Sequence, residues 1–158
     1  MPSFLYPSAK ESFLGGTNTI DLLAGRLGVA IVSTSYSPGA TPTASTHSTM
    51  TNIGTSNILK TAWVNSSTSA TQSSGITITN GVLAGPNVTV VSVPGSAVTA
   101  NALVLFQQDV TGSTQVATAG ARLIAYIDSA SSGLPIQNPN GANITIVWDS
   151  GANRIFAL

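Results

Sequence analysis

Short apolar segments alternate along the chain with clusters of turn-forming residues. Arg26 to Ser33 (RLGVAIVS) is a continuous apolar run dense in β-branched side chains, which predicts a strand buried on both faces. Farther along, the hydrophobic period falls to two. Ile76 and Ile78 alternate with Thr77 and Thr79 up to Asn80-Gly81, and Val88 and Val90 flank Thr89. Ala102, Val104 and Phe106 share one face of a segment whose other face is Leu103, Leu105 and Gln107. Leu123 to Ile127 follows, and then Ile144, Ile146 and Trp148 alternate with Thr145, Val147 and Asp149. Asn140-Gly141 and Ser150-Gly151 predict turns, the second leading into a terminal strand from Asn153 to Leu158. Six or more such strands predict a mainly β fold, an antiparallel β-sandwich or open barrel.

The N-terminal pattern differs. Pro7 suits a first helical turn, Phe13 and Leu14 lie at helical spacing from Tyr6 and Lys10, and Gly15-Gly16 ends the segment, so residues 2–15 predict a short helix. Thr19 to Leu23 adds another turn. The expected organisation is an N-terminal helical arm over 1–25 and a single β domain over 26–158. Within that domain, residues 34–75 read as a long, mobile, Ser/Thr-rich loop.

Composition narrows the function classes. Ser and Thr together number 41 of 158 residues, and five basic residues balance five acidic ones. Only 6% of residues are charged, where a soluble domain carries roughly 25%. A nucleic-acid partner is excluded as an expectation, because no Lys/Arg patch exists to displace counterions from phosphate. Apolar content of 42% with so little charge is the reverse of a disordered composition. With no cysteine there is no disulfide framework and no thiolate metal site. Leu27 to Val32 is far short of the roughly 20 apolar residues that cross a bilayer, so no membrane association is expected. The start of the chain carries no secretory pattern, which points to synthesis in a cytoplasm. The sequons at Asn65, Asn87 and Asn143 then follow from a composition rich in Asn, Ser and Thr.

Candidate chemistry is sparse. His47 is the single histidine and sits within the polar loop; as a general base it needs an orienting acid, and Asp21 before it and Asp109 after it are the nearest in sequence. Asp128 and Asp149 fall at strand ends, where aspartate ordinarily accepts from backbone amides, and no segment has the carboxylate density of a calcium loop. Neither a catalytic constellation nor a cofactor is expected. Trp63 and Trp148 with Tyr6, Tyr36 and Tyr126 suggest a sugar-stacking platform, but Trp148 alternates in step with Ile144 and Ile146 and so belongs to a core. Trp63 is the better candidate for an exposed contact. Arg122 and Arg154, in strands of a charge-poor chain, either pair with Asp109, Asp128 or Asp149 or face a partner.

A monomer stays dissolved largely through net charge and charged surface, and this chain has little of either. Interface cores are depleted in charge, so permanent association is the expected state. Three segments carry a resemblance: the opening MPSFLYPSAKESFLGG, the strand ALVLFQQDV, and the closing run ARLIAYIDSASSGLPIQNPNGANITIVWDSGANRIFAL. With their YP-x-x-K-E opening and LIAYID…GLP…NG…I-x-I-x-W-D-x-G-x-N-R-I-F ending, they resemble a family of small virion proteins of tailed bacteriophages and prophages. The middle, Tyr36 to Gly75, departs from that pattern. The resemblance implies a non-enzymatic capsid decoration (cement) protein, made in the bacterial host cytoplasm and carried on the virion surface. Its partners are then the major capsid protein and copies of itself; a tail or fibre component that binds host glycans is the alternative. Candidate contact residues are Phe4, Tyr6, Tyr36, His47 and Trp63.

Overall fold

The computed structural model describes residues 3–15, 20–23, 25–39, 42–43, 45–64, 75–95, 98–108, 110–111, 114–115, 120–129, 133–149 and 154–157. The fold is mainly β, with antiparallel pairing throughout and one short α-helix near the N-terminus. In chain order the elements are β1 (Phe4–Leu5), α1 (Pro7–Phe13), β2 (Arg26–Ser33), β3 (Ile58–Trp63), β4 (Thr77–Thr79), β5 (Val82–Ala84) and β6 (Val88–Val90). They continue with β7 (Thr99–Gln108), β8 (Val110–Thr111), β9 (Thr114–Gln115), β10 (Arg122–Ile127), β11 (Ile136–Gln137), β12 (Ile144–Ile146) and β13 (Arg154–Ala157). Two single-turn 3₁₀ segments, Met50–Asn52 and Thr55–Asn57, precede β3.

A six-stranded sheet forms the centre, in the order β1-β10-β7-β2-β3 with β11 added on β7. One face carries Val29, Ile31, Leu103, Leu105 and Ile124, packed against Leu83, Val88, Val90, Ile146 and Trp148 of the short outer sheets β12-β6 and β13-β5-β4. The opposite face carries Ala30, Val104, Phe106 and Leu123, covered by Tyr6 and Ala9 at the N-terminus and by Tyr36, Met50 and Ile53. The central sheet is thus covered on both sides, which explains why every residue of β2 is buried and why its sequence does not alternate. Gly28 is required by this packing: a Cβ there would lie 2.4 Å from Cζ of the Phe106 ring.

Several expectations are corrected. Phe4 and Leu5 are not helical; they pair with Tyr126 and Ala125 of β10, and the Tyr6 amide extends the ladder by donating to the Ile124 carbonyl at 2.9 Å. The helix begins at Pro7, which restricts its own backbone and that of Tyr6 before it. Residues 3–15 therefore belong to the β domain and do not form a separate arm. The expected loop over 34–75 contains β3, whose Lys60 and Thr61 face solvent; among the described residues it is an edge strand paired with β2. Met50 and Ile53 of the same stretch lie in the core. The portion 65–74 and the expected Ser150-Gly151 turn lie outside the described residues. The turn at Asn80-Gly81 links β4 to β5, with both residues at positive φ (53° and 76°), the backbone of a type I′ hairpin.

Candidate functional site

Four of the five candidate contact residues come together, two of them buried and Phe4 and His47 half-buried. The Tyr6 and Tyr36 hydroxyls share a 2.8 Å hydrogen bond, with Tyr6 fully buried and Tyr36 nearly so. Phe4 lies edge-on to Tyr6, with ring centroids 5.3 Å apart, and stacks on Tyr126 at 5.5 Å. His47 stacks on Tyr6 at 6.2 Å and tilts against Tyr36 at the same separation. The Ser8 hydroxyl donates to the His47 carbonyl at 3.1 Å, tying the first turn of α1 to the polar segment. Met50 N–H donates to the Ala121 carbonyl and Leu123 N–H to the Ser48 carbonyl, so this segment is hydrogen-bonded onto the start of β10. Tyr6 and Tyr36 are corrected as contact residues: their rings are core, packed with Met50 and Ile53 against one face of the central sheet.

Burial governs the electrostatics here. It pushes the Tyr6, Tyr36 and Tyr126 phenols above their ordinary range, and the carboxylate of Asp128 raises Tyr126 further. Burial also holds the His47 imidazole below its ordinary value. The His47 Nδ1 lies 2.9 Å from the Thr46 hydroxyl, its neighbour in the chain.

Trp63 sits apart from this cluster. The Arg26 guanidinium lies 4.0 Å from its ring centroid and Phe106 makes a T-shaped contact at 5.6 Å, so the half-buried ring is engaged within the chain. Trp148 is buried, and its indole N–H donates to the Pro86 carbonyl at 2.8 Å. Two of the sequon asparagines have structural uses: Asn87 Oδ1 accepts from the Trp148 amide and Asn143 Oδ1 from the Ser92 amide. Asp21 Oδ1 accepts from the Leu23 amide, the expected backbone-capping role of an aspartate. Among the described residues no three His, Cys, Asp or Glu side chains gather as metal donors, and no helix is long and apolar enough to cross a membrane.

Among the described residues two concave features stand out, and the sequence signalled neither. A cleft of about 690 Å³ opens between β12 and β13, floored by Ile31, Leu103 and Ile127 of the central sheet. A groove of about 490 Å³ runs past Phe13, Ile20, Leu22, Ile78 and Phe156. Leu23 and Ile78 beside this groove are 51% and 45% exposed, while Val91 and Val147 of the outer layer are 56% and 69% exposed. Large aliphatic side chains thus emerge on the outer layer and at its rim. Comparison with family models, with curated proteins and with solved structures finds no match to the chain.

Proposed function

We propose that this protein is a non-enzymatic virion structural component of a tailed bacteriophage, a decoration protein that docks on the outer shell and reinforces contacts between major capsid subunits. The reading rests on the resemblance at both ends of the chain. The observation that carries it physically is a nearly uncharged β-sandwich whose outer layer and rim leave Leu23, Ile78, Val91 and Val147 substantially exposed. Such a surface gains by being covered, since apolar area removed from water contributes about 25 cal/mol per Å². Packed DNA presses outward on a phage head, and a small rigid domain bridging neighbouring subunits adds contact area at each seam. The doubly covered central sheet supplies the rigidity and the outer layer the contact surface.

Glycan binding by a tail or fibre module calls for exposed aromatic platforms, and Trp63, Trp148, Tyr6 and Tyr36 are all engaged in packing. Attachment through apolar and hydrogen-bonded contact carries little charge steering, so raising salt from low to molar concentration should barely strip the protein from particles. The deciding experiment is electron cryo-microscopy of the particle that contains this chain. Density for the sandwich repeated over the outer shell lattice supports the reading. Density confined to the tail, or absence from the particle, overturns it.

A further inference from the structure

The chain contains two Asn-Gly pairs, Asn80-Gly81 and Asn140-Gly141, and both lie exposed in turns. Asparagine before glycine is prone to attack by the next backbone nitrogen on its own side-chain amide, because glycine has no Cβ to crowd that nitrogen. Both asparagines hold a positive φ, 53° and 47°, so neither exposure nor local backbone separates them. Hydrogen bonding does. Gly141 N–H donates to the Val93 carbonyl at 2.8 Å, and Asn140 N–H to the Gly95 carbonyl at 3.3 Å. Ala142 N–H closes the turn on the Pro139 carbonyl at 2.8 Å, and Val93 N–H returns a bond to the Ala142 carbonyl at 2.9 Å. The Asn80-Gly81 turn has none of these ties. Its hairpin is closed by Thr79 opposite Val82. The Gly81 amide lies at the tip, outside that ladder and without a backbone acceptor among the described residues. β4 is exposed along its length, and β5 is its strand partner among the described residues, so the tip opens by releasing one short ladder.

We propose that Asn80 is a self-modification site, at which the chain converts its own side-chain amide to a carboxylate with water as the co-reactant. The Gly81 nitrogen loses its proton and bonds to Asn80 Cγ. The Cγ–Nδ2 bond breaks, and the side-chain nitrogen leaves as ammonia. The product is a cyclic imide, a succinimide, spanning residues 80 and 81. Water then adds to one of its two carbonyl carbons and breaks the bond from that carbon to the Gly81 nitrogen. Addition at the side-chain carbon gives aspartate; addition at the backbone carbon gives isoaspartate, with the main chain routed through the side chain. No oxidation state changes. Ring closure requires the Asn80 backbone to leave its left-handed hairpin geometry, so the rate follows the opening of β4 from β5. At Asn140 the attacking nitrogen is held in a hydrogen bond, and the turn is fastened to Val93 and Gly95. The consequence falls on the outer layer. A chain of zero net charge gains one negative charge, placed next to Ile78 and Gly81 on the rim of the smaller groove. Isoaspartate also lengthens a two-residue turn, which breaks the Thr79–Val82 register and frees β4.

The test incubates the full chain in warm, mildly alkaline buffer beside a second sample unfolded in urea. Peptide mapping by mass spectrometry follows amide-to-acid conversion at Asn80 and Asn140 separately, and an isoaspartyl methyltransferase counts the isoaspartate. In the folded protein Asn80 should convert at least about tenfold faster than Asn140, the difference expected from the bonds that hold Asn140 and Gly141. In urea the two rates should converge, because both pairs are then Asn-Gly in open chain. Isoelectric focusing should show the aged protein gaining one negative charge in step with the conversion at Asn80. Equal rates in the folded protein, faster conversion at Asn140, or an Asn80 that stays intact while the urea sample converts overturns the site. The site stands apart from the capsid reading, and no particle enters its test.

Discussion

The central sheet and the outer layer are built from the same residue types yet are opposite in completeness. β2 and β7 each have a strand on both sides and a packed layer on both faces, so they bury nearly all of their side chains. The outer layer consists of three-residue and four-residue strands split into two small sheets among the described residues. Cohesion should therefore reside in the first and association in the second. Burial of apolar area and backbone pairing stabilise a sheet in proportion to how many neighbours it has, and among the described residues the outer strands have fewer.

The strongest way to break this contrast is Phe106→Ala. Phe106 is fully buried, lies over Gly28 and meets Trp63, so truncation should cost about 3–5 kcal/mol in urea unfolding. A loss near that of a surface change would mean that the central sheet is not where stability lies. Tyr6→Phe is the next largest. It removes the hydroxyl bonded to Tyr36 in a buried site, and about 1–3 kcal/mol should be lost. Alkaline titration sharpens the same point. Unfolded tyrosines ionise near pH 10, while burial raises the folded values of Tyr6, Tyr36 and Tyr126. Stability from these groups is complete below about pH 10 and falls as pH rises through that value, because the unfolded chain releases protons first. Melting temperature should drop between pH 9 and 11, and less steeply for Tyr6→Phe.

How much of this was legible follows from how local each signal is. The strands at Arg26–Ser33, Thr99–Gln108 and Arg122–Ile127 announce themselves as apolar runs, since burial on both faces demands them. Asn80-Gly81 marks its hairpin by backbone chemistry alone. Phe4–Leu5 is too short to show a period, and its strand character comes wholly from Tyr126 and Ala125. β3 was hidden because its exposed Lys60 and Thr61 interrupt the apolar pattern as an edge strand should. Of Phe4, Tyr6, Tyr36 and His47, the two tyrosines are buried and the other two are half-buried beside them: residues far apart in sequence are joined by the fold into one cluster. The cleft left no trace in the pattern, because alternation from Ile144 to Asp149 predicts a strand but says nothing about how many partners it has.

Turn chemistry offers a smaller test within the outer layer. Gly81 sits at φ 76° in the β4–β5 hairpin, a backbone that an L side chain disfavours, so Gly81→Ala should cost about 1 kcal/mol. If the layer contributed nothing to cohesion, the change would leave unfolding untouched while loosening only the hairpin's own amide protection.

The smallest effect belongs to one member of a matched pair, Val147→Thr beside Val29→Thr, which asks the same question of both regions with the same chemistry. Val29 in β2 has no exposed surface, whereas Val147, just past β12, is 69% exposed. Valine to threonine is nearly isosteric, so what changes is a methyl for a hydroxyl. At Val29 that hydroxyl must leave water, and about 1–3 kcal/mol should be lost. At Val147 it stays hydrated, and unfolding should move by less than about 0.5 kcal/mol. Urea titration of the two proteins measures the difference directly. Equal losses would show that Val147 is covered in solution, and would relocate the boundary between the cohesive and the open parts of the sandwich.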